Sequence, residues 1–142
     1  ATDRAREEGV LEGDGSWDLE GWDAAAKLVI LANAVLDVST HLDDVSRTGI
    51  TNLDVETLQG ARERGKRYRL LAEANRTTDG GYELSVAPVP LSPDHPLGRL
   101  GGMQMGVMYE TDIYGTITAI IDESSPIPSA ATMLRDLLDI YS

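Results

Sequence analysis

The 142-residue chain contains no cysteine and no phenylalanine, and its aromatic content is only 5%. The first absence excludes disulfides, thiolate metal centres and cysteine nucleophiles. It agrees with a reducing cytoplasm, the compartment expected for the protein. The second leaves Leu, Ile, Val, Met and Ala to fill the core. Basic residues are scarce, with twelve Lys and Arg against 24 Asp and Glu, a formal net charge of -12. A chain so acidic repels phosphate backbones and anionic lipid, so neither nucleic acid nor membrane is an expected partner. Long apolar runs are missing as well: the longest, Leu28–Ala32, is far too short to span a bilayer. The N-terminal ATDRAREEG lacks the apolar centre of a secretory signal, and it lacks an initiator methionine, as expected of a fragment or a processed product. No GxGxxG follows a strand and opens a helix, and no GxxxxGK[ST] is present, so the chain is not expected to bind a dinucleotide unaided. His41 and His95 have no second ligand at metal spacing and are expected to be surface or capping residues.

What is present suffices for one domain with a buried core. Residues 1–9 read as the end of a charged helix stopped at Gly9, followed by a polar loop over 12–21. Asp23 then opens a helix to about Val38, in which Ala24, Lys27, Leu28, Leu31, Ala32 and Val35 keep a helical period. Asp54 is expected to cap a second helix, 55–64, that stops at Gly65. Lys66–Ala74 alternates like a strand, and Tyr82–Val89 is its expected partner across the turn chemistry of TTDGG. Pro88, Pro90, Pro93 and Pro96 predict a stiff extended connection over 88–96. Met103–Glu110 and Thr116–Ile121 predict two more strands joined by TDIYG, and a closing helix is expected from Ser129, as N-cap, to about Tyr141. Helices, then a mostly antiparallel β-sheet covered by helices, make an α+β fold.

The chemically suggestive stretch is EGDGSWDLEGWDAAAK, residues 12–27, with Glu12, Asp14, Asp18 and Asp23 leading into a helix that carries Lys27. A spacing of four brings Asp23 and Lys27 together on one helical face. The plain explanation is a surface pair at a helix start, worth about 0.3–0.5 kcal/mol. Against it stand the apolar neighbours of Lys27 in AAAKLVILA, which suggest burial, where an unpartnered lysine is costly. Five carboxylates in twelve residues, Glu20 being the fifth, also call for a cation among them, and the ammonium of an amino-acid-like ligand would supply it.

The run GVLEGDGSWDLEGWDAAAKLVIL (9–31) resembles the catalytic domain of the homoserine dehydrogenase family, whose pattern is close to GxxEPDPxxDxxGxDxxxKLxIL. The resemblance continues through THLDDVSRTGITNLDVETLQGARERGKRYRLLAEA, HPLGRLGGMQMGV and IPSAATMLRDLL, and so covers most of the chain in order. It implies reversible hydride transfer between NAD(P) and the hydroxyl carbon of homoserine, giving aspartate semialdehyde. It further implies that Lys27 relays the hydroxyl proton and polarises the oxygen, that Asp23 holds the lysine, and that Glu12 and Asp18 bind the small-molecule amino-acid substrate. Asp14 matches a turn-forming acid. The family's cofactor-binding Rossmann domain and a second functional lysine precede the region matched here, and its catalytic domain pairs into a homodimer. The chain departs from the family where GxGAGxxPTASAVxxDL stands as IDESSPIPSAATMLRDL. Pro128, Ala130 and Asp136 are kept, whereas Ile121, Glu123, Ser124 and Ser125 replace a glycine-rich segment. The alternatives are a related dehydrogenase acting on another hydroxy or amino acid, and a non-catalytic dimerisation or ligand-sensing module.

Overall fold

A computed structural model describes residues 15–122 and 124–141. The helix expected over residues 1–9, together with Glu12, Asp14 and Glu123, lies outside the described residues. The chain divides into two compact units, residues 1–91 and 92–142.

The first unit contains helices α1 (Ser16–Leu19), α2 (Trp22–Val35) and α3 (Val55–Glu63), a 3-10 turn at Leu42–Asp44, and strands β1 (Ser46–Arg47), β2 (Arg67–Arg76) and β3 (Tyr82–Leu91). β2 and β3 form an antiparallel ribbon, and β1 lies parallel to β3 on its other side. Leu70, Ala72 and Ala74 of β2 pair with Pro88, Val86 and Leu84 of β3, which places an apolar row on one face of the ribbon. Ala25, Leu28 and Ala32 of α2 recur at helical spacing and pack with Leu84 and Val86, so the core lies between this helix and that face.

Three expectations change here. The loop expected over 12–21 contains the one-turn helix α1. Helix α2 ends at Val35 rather than Val38, because Asp37 turns left-handed at φ 54. The Asn33 side chain then accepts from the Thr40 amide and donates to its carbonyl, folding the chain back along the helix. Pro88 and Pro90 lie within β3, so the extended connection starts only after Leu91. The geometry of β3 explains why they are tolerated. The Val86 carbonyl accepts from the Thr48 amide on the β1 side. Backbone groups two and four residues on point the same way, so both proline nitrogens face the side beyond β1, where no strand among the described residues pairs, and no β2 bond is lost.

The second unit contains a 3-10 turn at Pro96–Arg99, strands β4 (Gln104–Thr111) and β5 (Gly115–Asp122), and helix α4 (Ile127–Tyr141). β4 and β5 form the expected hairpin, and Thr111 closes its turn by accepting from the Tyr114 amide and donating to the Gly115 carbonyl. Met105 pairs with Ile121, Val107 with Ala119 and Tyr109 with Ile117, giving one apolar face. Helix α4 starts at Ile127, two residues ahead of the expected Ser129 cap. The Pro126 carbonyl accepts from the Ala130 amide, so Pro126 holds the capping position, and Pro128 fits the first turn because its missing N–H has no helical acceptor there.

Candidate active site

The acid-rich stretch folds as helix, turn, helix. Gly15, left-handed at φ 69, opens α1, whose single turn carries Asp18. Glu20 caps that turn, and Gly21, at φ 82, starts α2. A β-carbon at Gly21 would come 3.0 Å from Val86 Cγ1, so the chain crosses the sheet here with no room for a side chain.

Asp23 lies in the first turn of α2, and its Oδ2 accepts from Lys27 Nζ at 2.8 Å. The side chains are 44% and 58% exposed, respectively. Lys27 is therefore not buried, contrary to the expectation drawn from AAAKLVILA. The stripe Asp23, Lys27, Ile30, Ala34 lies opposite the buried stripe Ala25, Leu28, Ala32. Of the apolar residues in AAAKLVILA, Ile30 and Leu31 are themselves exposed. Among the described residues Lys27 pairs with Asp23, and no ion pair joins Asp18 to Lys27. Asp18 is placed one short turn of chain ahead of Asp23, and Glu12 lies outside the described residues.

The turn between the two helices is held from behind by β1 and the segment that follows it. The Ile50 amide donates to the Leu19 carbonyl at 2.9 Å, and Arg47 Nη1 donates to the Glu20 carbonyl at 2.6 Å. A β-carbon at Gly49 would meet the Leu19 carbonyl oxygen at 2.6 Å, so backbone lies directly on backbone. The Arg47 guanidinium lies 3.5 Å from the centre of the Trp22 ring, and the Trp17 and Trp22 rings stack with centroids 5.6 Å apart. Sequence reading did not single out these residues. The one available signal was that both tryptophans of the chain fall in this stretch; nothing local links Arg47 to it.

Elsewhere, His95 caps its 3-10 turn, Nδ1 accepting from the Leu97 amide at 3.2 Å. Among the described residues no group of His, Cys, Asp and Glu is arranged to hold a metal ion. No helix among them is long and apolar enough to cross a membrane.

The family model described as homoserine dehydrogenase matches residues 1–138. The NAD(+)-dependent homoserine dehydrogenase of Pseudomonas canavaninivorans is 33% identical over 141 residues, which is 99% of this chain and 40% of that enzyme. The homoserine dehydrogenase of Methanocaldococcus jannaschii is 34% identical over 142 residues, covering 100% of this chain and 40% of its own length. The crystal structure of a homoserine dehydrogenase from Thiobacillus denitrificans is similar at a TM-score of 0.87 and 29% identity, over 97% of this chain and 32% of that one. The chain thus spans 40% of the length of the two curated relatives. By sequence across nearly its whole length and by fold, it belongs to the homoserine dehydrogenase family.

Proposed function

We propose that this chain is the substrate-side domain of an NAD(P)-dependent homoserine dehydrogenase that interconverts L-homoserine and L-aspartate 4-semialdehyde. In this reading a Rossmann domain preceding residue 1 holds the cofactor. The enzyme would serve synthesis of the aspartate-family amino acids in the cytoplasm. The observation that carries the reading is the Asp23–Lys27 pair, closed at 2.8 Å on an outward stripe of a helix whose other side is anchored in the core.

The described residues do not fit the cofactor itself. No glycine-rich strand-to-helix turn is among them, and carboxylates beside Lys27 would repel a pyrophosphate. What they fit is the alcohol. A nicotinamide held by the cofactor domain would supply the hydride acceptor; on this side the hydroxyl proton must leave as the carbonyl forms. Lys27 Nζ holds the substrate oxygen, takes its proton on the lone pair of the amine form, and as the ammonium so formed releases one to solvent; in the reducing direction the ammonium gives a proton to that oxygen. Asp23 takes one Nζ hydrogen, fixing the direction of the ammonium and leaving its other donors for the substrate. Glu12 and Asp18 hold the substrate's ammonium by charge-assisted hydrogen bonds.

A homodimer is part of the same proposal. The face made by Met105, Val107, Tyr109, Ile117, Ala119 and Ile121 is apolar, and Met105, Ile117 and Ile121 are exposed on it. A two-stranded hairpin needs cover on such a face to be stable in water.

The test is a substrate screen on the full-length protein with NAD and NADP, following absorbance of the reduced cofactor. Turnover of homoserine is the expected result. Turnover of a different hydroxy acid alone would keep the reaction and replace the substrate. No turnover of any alcohol by a folded, cofactor-binding protein would favour a sensing or dimerisation module.

A further inference from the structure

Three features of the first unit converge on one turn that the proposed chemistry does not use directly. Leu19–Gly21 links the helix carrying Asp18 to the helix carrying Asp23 and Lys27. Its two carbonyls, of Leu19 and Glu20, are taken by Ile50 and Arg47, from a segment nearly thirty residues away in the chain. That segment is itself fixed to the sheet, since Arg47 pairs in register with Val86 and the Thr48 amide donates to the Val86 carbonyl. Val86 is a fully buried core residue. A continuous set of short contacts therefore runs from the core through Arg47 to the turn immediately before Trp22 and Asp23.

We propose that Arg47 is a positioning residue for the acid–lysine site, setting Asp18 relative to Asp23 and Lys27 by gripping the turn between their helices. The inference rests on the reading of those acids and that lysine as the substrate side of a dehydrogenase. Arginine suits the task because one planar group does two things: its edge donates to the Glu20 carbonyl while its face lies on Trp22. Trp22 passes the constraint on, stacking on Trp17 of α1, the residue next to Asp18, and donating from Nε1 to Glu20 Oε2 at 3.2 Å. The two helices are thus coupled through a ring pair whose orientation Arg47 fixes. Lysine at this position would keep the charge and lose the planar edge and face. A site held this way should lose substrate affinity when the grip is released, because small displacements of binding groups cost productive contacts.

The experiment uses the full-length protein with Arg47→Ala and Arg47→Lys, measured by steady-state kinetics and by amide hydrogen exchange. Arg47→Ala is expected to raise KM for the hydroxy amino acid about tenfold or more and change KM for the nicotinamide cofactor by less than about twofold. Arg47→Lys should fall between Arg47→Ala and the unchanged protein. Exchange over residues 16–27 should quicken about tenfold in Arg47→Ala while β2 and β3 keep their protection. Unchanged substrate KM together with unchanged exchange would overturn the proposal. So would a rise in both Michaelis constants accompanied by loss of protection across β2 and β3, since that marks a general role in folding. If the unchanged protein oxidises no hydroxy amino acid with either cofactor, the dehydrogenase reading fails separately. The exchange data alone then decide whether Arg47 holds the turn.

Discussion

Lys27 is solvated, and its pairing with Asp23 is worth only about 0.3–0.5 kcal/mol as an exposed i,i+4 contact. Stability therefore gives little reason for the pair, and its removal separates structure from chemistry cleanly. In the full-length enzyme Lys27→Ala should lower kcat by about 10²–10⁴-fold with an unchanged circular dichroism spectrum; near-normal turnover would remove Lys27 from the proton relay. Glu12→Gln should raise the substrate KM by about tenfold while leaving kcat nearly intact, and an unchanged KM would remove Glu12 from ligand contact. At this scale the sequence was readable for spacing and misleading for environment. The i,i+4 relation of Asp23 and Lys27 follows from helix geometry alone. The run AAAKLVILA suggests burial of Lys27, yet Ile30 and Leu31 within it are exposed, because apolar composition does not say which face a helix turns to its own core. Arg47 was out of reach for a different reason, since its partners lie at 20 and 22.

Among the elements, the start of α2 depends on Gly21. At φ 82, with Val86 Cγ1 3.0 Å from where a β-carbon would stand, Gly21→Ala carries both backbone strain and a core clash. A loss of about 1–2 kcal/mol or more is expected, read as a lower urea midpoint. Helix α3 starts at Asp54, whose Oδ1 accepts from the Thr57 amide at 2.7 Å. That backbone bond, then a further bond from the Thr57 side chain, holds the Asp54 carboxyl below its ordinary value. A depressed folded-state value means that the contribution is present above the unfolded-state value and disappears as pH falls through the folded one. Amide exchange at Thr57 and Leu58 should therefore be faster in Asp54→Ala than in the unchanged protein near pH 7, and the difference should vanish in acid; a gap that persists in acid would rule out the carboxylate as its source. Elements with strong local signals were legible: the TTDGG and TDIYG turns, the Asp54 cap, the stop at Gly65. The one-turn α1 and the two-residue β1 were not, because neither is long enough to show a period, and β1 exists only through its pairing with Ser85 and Val86. The boundary at Leu91 was missed because proline argues against a strand unless its nitrogen faces an open edge, which only the register reveals.

At the scale of the molecule, a large share of the apolar surface in the second unit is uncovered. Besides the hairpin face, Met133, Leu134, Leu137, Leu138 and Ile140 of α4 are exposed. The α+β class was legible from the order of elements, and the family from motifs spread along the chain, but which apolar surfaces are left exposed is visible only in three dimensions. If the hairpin face joins two copies, Ile121→Lys in the full-length protein should shift its mass in sedimentation from dimer to monomer. A dimer that survives the charge would place the interface elsewhere. The two prolines of β3 bear on the same question. With no N–H to offer at positions 88 and 90, the side of β3 that no strand among the described residues pairs with there is a poor template for another strand. Sheet extension there is blocked covalently, at no cost to the ribbon's own pairing. If the proposed dimer forms, its contact is thereby left to surfaces that join by side chains rather than by backbone pairing along this stretch of β3.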